Sequence, residues 1–197
     1  MINCTIINND ILNSRSYIIT KEDSIDAWLI DCGDVDKIFI FLNEKKKIPK
    51  GVFLTHCHYD HIYGVNSLLK NYPETLIYLS CNGGVKGVKD CRLNTSKYTP
   101  SPYIIETNNF VELNEGDEVL LYSDIVLYAL KTDGHSPDSM SYKVDDILFT
   151  GDAYIPSVEI VTRLPGGDKI QAEISKSRIL ELIMEESLKI MPGHFLK

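Results

Sequence analysis

The stretch GVFLTHCHYDHIYG, residues 51–64, constrains this chain more than any other. A short apolar run suited to a buried strand, Gly51 to Thr55, delivers the backbone straight into three of the protein's five histidines, arranged His56-x-His58-x-Asp60-His61. In extended backbone, residues two apart project to the same side, so His56 and His58 reach one point in space. Asp60 and His61 follow where the chain turns into a helix, and the new direction aims them at a second point nearby. That spacing suits two adjacent metal ions better than one.

The other two histidines occupy matching settings. His135 lies in TDGHSPDS directly after the strand-like IVLYALKT, and His194 lies in MPGHF after a short run near Ile190. A glycine precedes each, letting the backbone turn sharply and present an imidazole at a strand end. Asp152, in LFTGDA, repeats the design with a carboxylate. Taken singly, each is an ordinary turn residue. Together, all five histidines and two aspartates fall at element ends, where the sites of layered α/β proteins gather.

The segments between them supply the scaffold. YIITKEDSIDAWLIDCGD reads as a hairpin whose second strand, Ala27 to Ile30, ends at Asp31. Asp34 suits the N-cap of a helix carrying Val35, Ile38 and Leu42 on one face, and a second helical face runs from Ile62 to Tyr72 before Pro73. With the strand-like TLIYLS, the first 80 residues alternate strand and helix, which predicts parallel pairing with helices on a sheet face. Residues 81–109, with Gly83-Gly84 and two prolines, form an irregular excursion holding one short helix. From Phe110 the texture turns β-rich through EVLLY, IVLYALKT, SMSYKV and ILFTGD. A helix after Asp168, with Ile170, Ile174 and Leu180 to Ile183 turned inward, leads to a last short strand. The expected organisation is one domain over residues 1–197.

Composition narrows the partners. The formal net charge of −8 repels nucleic-acid phosphates, and the one basic run, Lys45-Lys46-Lys47, reads as a solvated helix end. No stretch is long and apolar enough to span a bilayer, and MINCTIINND lacks the pattern of an export signal, so a cytoplasmic protein is expected. The five cysteines, Cys4, Cys32, Cys57, Cys81 and Cys91, are odd in number without CxxC spacing and are read as reduced thiols.

The order His-x-His-x-Asp-His, His, Asp, His resembles the metallo-β-lactamase superfamily. FLTHCHYDHIYG, TDGHSPDS, LFTGDA, LPGGD and MPGH resemble its glyoxalase II-like branch, from about Tyr17 to His194. The resemblance implies an α/β (α+β) fold, a four-layer αββα sandwich with the site at the sheet edges. It implies that His56, His58 and His135 hold one divalent metal ion, that Asp60, His61 and His194 hold a second, and that Asp152 bridges them. Zinc is the first candidate, with iron or manganese as alternatives, because imidazole and carboxylate suit all three. The implied activity is metal-dependent hydrolysis, in which a metal-bridging hydroxide attacks a small ester, thioester, lactone or related bond and Asp60 relays a proton to the leaving group. The alternative is an iron-dependent persulfide dioxygenase using one iron at His56, His135 and Asp152. The expected partner is a small-molecule substrate, with no nucleic acid or membrane, for a monomer or homodimer.

Other positions carry weaker expectations. Asp31 matches an acidic position that could fix a ligand imidazole's tautomer, or is a solvated strand end. Cys57 points away from the ligands as a packing or solvent-facing residue, and Gly64 allows close helix packing. Asn94 and Ser96 shape a pocket rim or a plain turn; Tyr98 and Tyr103 line a pocket mouth or anchor a loop. Three features depart from the family pattern. Asp138 or an adjacent residue stands where glycine is usual, Ile160-Val161-Thr162-Arg163 replaces a Gly-Arg-x-Asp, and the chain ends three residues after His194. Glyoxalase II continues there into a helical domain that helps hold glutathione, so a glutathione thioester is only one candidate substrate.

Overall fold

Strands that are apolar on both faces need cover on both, and the computed structural model, which describes residues 1–195, satisfies this with two stacked sheets. Ile2–Asn8 (β1), Arg15–Lys21 (β2), Asp26–Ile30 (β3), Ile48–Phe53 (β4), Leu76–Ser80 (β5) and Phe110–Leu113 (β6) form a six-stranded sheet in chain order. β1 to β3 pair antiparallel, and β3 to β6 pair parallel. Alternation along the strands separates two cores. Tyr17, Ile19, Trp28 and Ile30 face inward, while Ile18, Ala27 and Leu29 face the opposite side. The latter side is closed by Val35–Lys45 (α1), Tyr59–Ile62 (α2), Val65–Asn71 (α3) and Gly84–Lys89 (α4), through Ile38, Leu42, Ile62, Val65, Leu68 and Val88.

The second sheet is built from Glu118–Tyr122 (β7), Ile125–Lys131 (β8), Met140–Val144 (β9), Ile147–Gly151 (β10) and Lys189–Pro192 (β11), in the order β11-β10-β9-β8-β7. Its inner face, with Leu127, Met140, Tyr142 and Phe149, packs on Tyr17, Trp28, Phe53 and Tyr78 of the first sheet. Tyr17 and Phe149 meet edge-on with centroids 5.1 Å apart. On the outer face, Leu148 packs under Ile179 of Lys169–Glu186 (α5). The layers are thus helix, sheet, sheet, helix, the metallo-β-lactamase arrangement that the motifs imply. No helix among the described residues is long and apolar enough to cross a membrane, and all five cysteines are free thiols.

Four local readings change. β1 carries no clear strand signal, because INCTIIN mixes polar and apolar residues on an edge strand that is only partly covered, by Ile2 and Cys4 on one face and Ile7 on the other. β4 starts at Ile48 rather than Gly51: Pro49 pairs with Ala27, and the register slips at Lys50. Asp34 stands at the N-cap of α1 without capping it; its carboxylate instead takes the Lys37 ammonium at 2.6 Å and the Asp10 N–H at 3.0 Å. Finally, Ile170 and Ile174 of α5 face solvent, 76% and 56% exposed, and Ala172, Ser175 and Ile179 face inward. Close approach explains it: a Cβ on Gly134 would stand 2.2 Å from the Ala172 nitrogen, so the helix start meets the sheet through small residues.

Candidate metal centre

Asp31, His56, Asp152 and His194 lie just beyond strand ends, His135 in the loop after β8, and Asp60 and His61 in α2, the short helix after β4. Asp31 follows β3 with φ of 58°, a left-handed conformation that Asp tolerates better than most residues. The turn brings its carboxylate back onto the end of β4. Oδ1 accepts the Thr55 N–H at 2.8 Å, and Oδ2 accepts both the Thr55 hydroxyl at 2.8 Å and His61 Nδ1–H at 2.7 Å. An ionised carboxylate only accepts, so His61 carries its proton on Nδ1 and turns Nε2 to the cluster. The Thr55 hydroxyl, its hydrogen given to Asp31, accepts from His56 Nδ1 at 3.0 Å and leaves His56 Nε2 free. His135 and His194 are fixed in the same way by main-chain carbonyls, Val161 at 2.7 Å and Leu12 at 3.0 Å. Of the two readings of Asp31, the hydrogen bonds select the positioning role.

These constraints bring all seven side chains together. His56, His58 and His135 form one group, Asp60, His61 and His194 a second, and His56, His61 and Asp152 a third, with donor atoms inside each group within 4.8 Å of one another. His135 Nε2 lies 2.9 Å from His58 Nδ1. Asp152 stands between the halves, with Oδ2 at 3.5 Å from His135 Nε2 and 3.2 Å from His194 Nε2, and Oδ1 at 3.6 Å from His61 Nε2. Asp60 Oδ2 is 3.3 Å from His194 Nε2. Gly193 makes room for this: a Cβ there would sit 2.2 Å from Asp152 Oδ1.

The donor set fits cations. His56 Nε2 and Asp152 Oδ1 are buried in the cluster without a hydrogen-bond partner, a costly condition for polar atoms. The protonation pattern agrees. Burial holds His56 far below the usual imidazole range and drives His58 down to about 3. Burial also opposes charge on His61, but the carboxylates of Asp60, Asp31 and Asp152 outweigh it and raise that ring to about 10. Burial would raise Asp152 as well, yet the neighbouring imidazoles, His61 first, hold it far below the usual carboxylate range. Buried carboxylates among imidazoles favour a positive partner in their midst, a condition that a proton or a metal ion meets.

The lesser positions sort out as follows. Cys57 is buried against Gly87 of α4, where an added Cβ would lie 2.7 Å from its sulfur, and Asp138 packs into the same corner with its carboxyl raised by burial. A Cβ on Gly64 would meet the Gly33 carbonyl at 2.2 Å, so that glycine is a packing requirement. Asn94 and Ser96 both donate to the Tyr103 carbonyl, at 2.8 and 2.9 Å, which makes them loop anchors. Tyr103 is itself an anchor, its hydroxyl accepting the Asn66 N–H at 3.0 Å, whereas Tyr98 lines a pocket beside Asp60. The motifs give no sign of Thr55, Leu12 or Val161. Two of these act through main-chain carbonyls, which leave no mark on residue type.

The family model of the metallo-beta-lactamase superfamily matches residues 10–194. The chain belongs to that superfamily. A hydroxyacylglutathione hydrolase of Hahella chejuensis is 29% identical over 191 residues, covering 85% of this chain and 65% of that protein. Of other hydroxyacylglutathione hydrolases it matches, the chain spans about half the length. The probable metallo-hydrolase YqgX of Bacillus subtilis is 30% identical over 186 residues, 93% of this chain and 85% of that one. The crystal structure of BLEG-1 B3 metallo-beta-lactamase superposes with a TM-score of 0.85 at 23% identity, covering 98% of this chain and 92% of that one. The protein is an enzyme of the metallo-beta-lactamase superfamily, with relatives named as hydrolases.

Proposed function

We propose that the protein is a dinuclear metallo-hydrolase that cleaves a small ester, thioester, lactone or related bond. One observation carries the reading: five imidazoles and two carboxylates converge at the ends of strands from both sheets, with His56 Nε2 and Asp152 Oδ1 buried and unpartnered. His56, His58 and His135 would hold one ion, Asp60, His61 and His194 the other, and Asp152 would join them. Two divalent ions, zinc first and iron or manganese as alternatives, would supply water acidic enough to react near neutral pH and positive charge for a developing oxyanion.

The chain's own residues account for the rest. Asp31 and Thr55 fix the tautomers of His61 and His56, so both present an Nε2 lone pair without rearrangement. Asp60 belongs both to the cluster and to the wall of the neighbouring pocket, so its carboxyl can carry a proton between solvent and the leaving group. We place this activity in the cytoplasm, in a monomer or homodimer.

A second reading rests on part of the same site. His56 groups with His135 on one side and with Asp152 on the other, and His135 Nε2 lies 3.5 Å from Asp152 Oδ2, so the three would make a two-histidine, one-carboxylate set of the kind that holds a single oxygen-activating iron, which would suit persulfide oxygenation. Elemental analysis of protein purified without added metal, with a panel of esters, thioesters and lactones and an oxygen electrode, separates the two. Hydrolysis with two metals per chain, both lost in Asp152→Ala, is the expected result. Full activity of Asp152→Ala with one metal per chain, or oxygen uptake with a persulfide, would overturn the dinuclear scheme.

A further inference from the structure

Resting on the hydrolase reading, a cavity of about 380 Å³ beside the cluster says what kind of substrate the site takes. Its walls come from three separate parts of the chain: Ile11 and Leu12 from the β1–β2 loop, Thr95, Tyr98 and Thr99 from the excursion after α4, and Leu164 from the loop before α5. Tyr59 and Asp60 of α2 close it on the cluster side. Its size falls in the range of roughly 300–1,000 Å³ occupied by small-molecule sites.

The walls are largely apolar. Asp60 is the one carboxylate among the lining residues, and no Lys, Arg or His lines the cavity among the described residues. Two cations adjoin lining residues in sequence without lining the cavity themselves: Lys97, which lies over the Tyr98 ring at 4.7 Å from its centroid, and the exposed Arg163 before Leu164. A charged arm lodged among Ile11, Leu12, Tyr98 and Leu164 would lose its water with no basic side chain in the lining to replace it, whereas an apolar arm gains by leaving water there. Leu12 and Tyr98 meanwhile stand 72% and 70% exposed beside a buried polar cluster, an arrangement typical of a binding surface awaiting an apolar group.

Parts of the wall lie on left-handed backbone that the surrounding fold enforces. Leu12 and Asn13 have φ of 53° and 56°, and Thr95 has φ of 65°, conformations that side-chain-bearing residues rarely adopt. The strain at Leu12 has a visible use, since its carbonyl receives His194 Nδ1–H at 3.0 Å. One residue therefore orients a cluster imidazole and presents an apolar side chain to the cavity.

We propose that the substrate is a neutral ester or thioester with an apolar acyl or aryl arm, lodged against Leu12, Tyr59, Tyr98 and Leu164, and not a conjugate that carries carboxylates into this cavity. Two measurements test it. In the metal-loaded enzyme, kcat/KM along acetyl, butyryl and hexanoyl esters of one neutral alcohol rises about fourfold per methylene, the equivalent of ~0.8 kcal/mol per buried CH₂. Leu12→Asn, which keeps a residue tolerant of the left-handed backbone, and Tyr98→Ala both flatten that rise. Independently of turnover, the inert neutral amide N-hexylacetamide shifts the Tyr59 and Tyr98 ring resonances in the NMR spectrum, and glutathione at equal concentration does not. A flat chain-length series, or preference for a glutathione thioester with shifts at these tyrosines, would overturn this proposal while leaving the hydrolase reading intact. Absence of hydrolysis on every ester and thioester, with the amide still bound at these tyrosines, would instead sink the hydrolase reading.

Discussion

Asp31→Asn isolates the hydrogen bonding that orders the cluster. Asn tolerates the left-handed φ of 58° at this position, so the backbone stays and only acceptor capacity changes. Three donors, the Thr55 N–H, the Thr55 hydroxyl and His61 Nδ1–H, converge on two carboxylate oxygens at 2.7–2.8 Å. The amide offers one oxygen. With that oxygen on the Thr55 N–H, its NH₂ confronts His61 Nδ1–H; flipped, the NH₂ confronts the Thr55 N–H. Either orientation leaves a buried donor unpaired, which costs about 1–3 kcal/mol of stability. His61 can escape by moving its proton to Nε2, but then it cannot ligate. The second ion should therefore bind ~10–100-fold more weakly, or about 1.4–2.7 kcal/mol at 1.36 kcal/mol per tenfold. The first ion should change less, since Thr55 can still meet His56. Competition against a chromophoric chelator, read as two successive binding steps in parent and variant, measures this directly. Two unchanged affinities in a variant of unchanged stability would refute the positioning role of Asp31.

Other perturbations have equally definite outcomes. Gly193→Ala places a methyl group 2.2 Å from Asp152 Oδ1, and metal content should fall below two per chain by elemental analysis while far-ultraviolet circular dichroism is kept. Gly64→Ala presses on the Gly33 carbonyl at 2.2 Å, an overpacking that should cost about 1–3 kcal/mol in denaturant melts without touching the cluster. Glu115, held below the usual carboxylate range by its hydrogen bond to Arg178, ties the β6–β7 turn to α5. A depressed pKa stabilises above the unfolded value and ceases to as pH falls through the folded one. Glu115→Gln should thus cost ~0.2–1 kcal/mol at pH 7, a half-exposed pair being weak, and the difference should fade in melts as the pH is lowered through the ordinary carboxylate range and beyond it. Chelation should lower the melting temperature, because ions held at a thousandfold over their Kd contribute about 4 kcal/mol. An unchanged melt would speak against tight binding.

Much of the architecture was legible because apolar runs and ligand types alternate so regularly. The run before His56, the run before His135 and the run before Asp152 each end as a strand at the cluster, since a buried strand has to surface somewhere and glycine lets it turn there. The sidedness of α5 was not legible. Its sequence offers two apolar stripes, and the choice between them rests on Gly134 sitting against Ala172, a tertiary contact that helical periodicity does not encode. Nor could residue types reveal that the Leu12 and Val161 carbonyls set the His194 and His135 tautomers. Asp31 and Cys57 fall between these cases. The pattern nominated both, and only geometry could separate the positioning carboxylate from the packing thiol.

His56, His58, Asp60 and His61 extend from the six-stranded sheet, whereas His135, Asp152 and His194 extend from the five-stranded one. A pair of ions seated among them would rivet one half of the sandwich to the other, so that losing metal and prising the halves apart become a single movement. Stripping by a chelator would then run no faster than that opening, and hydrogen exchange in the inner strands would report on both at once.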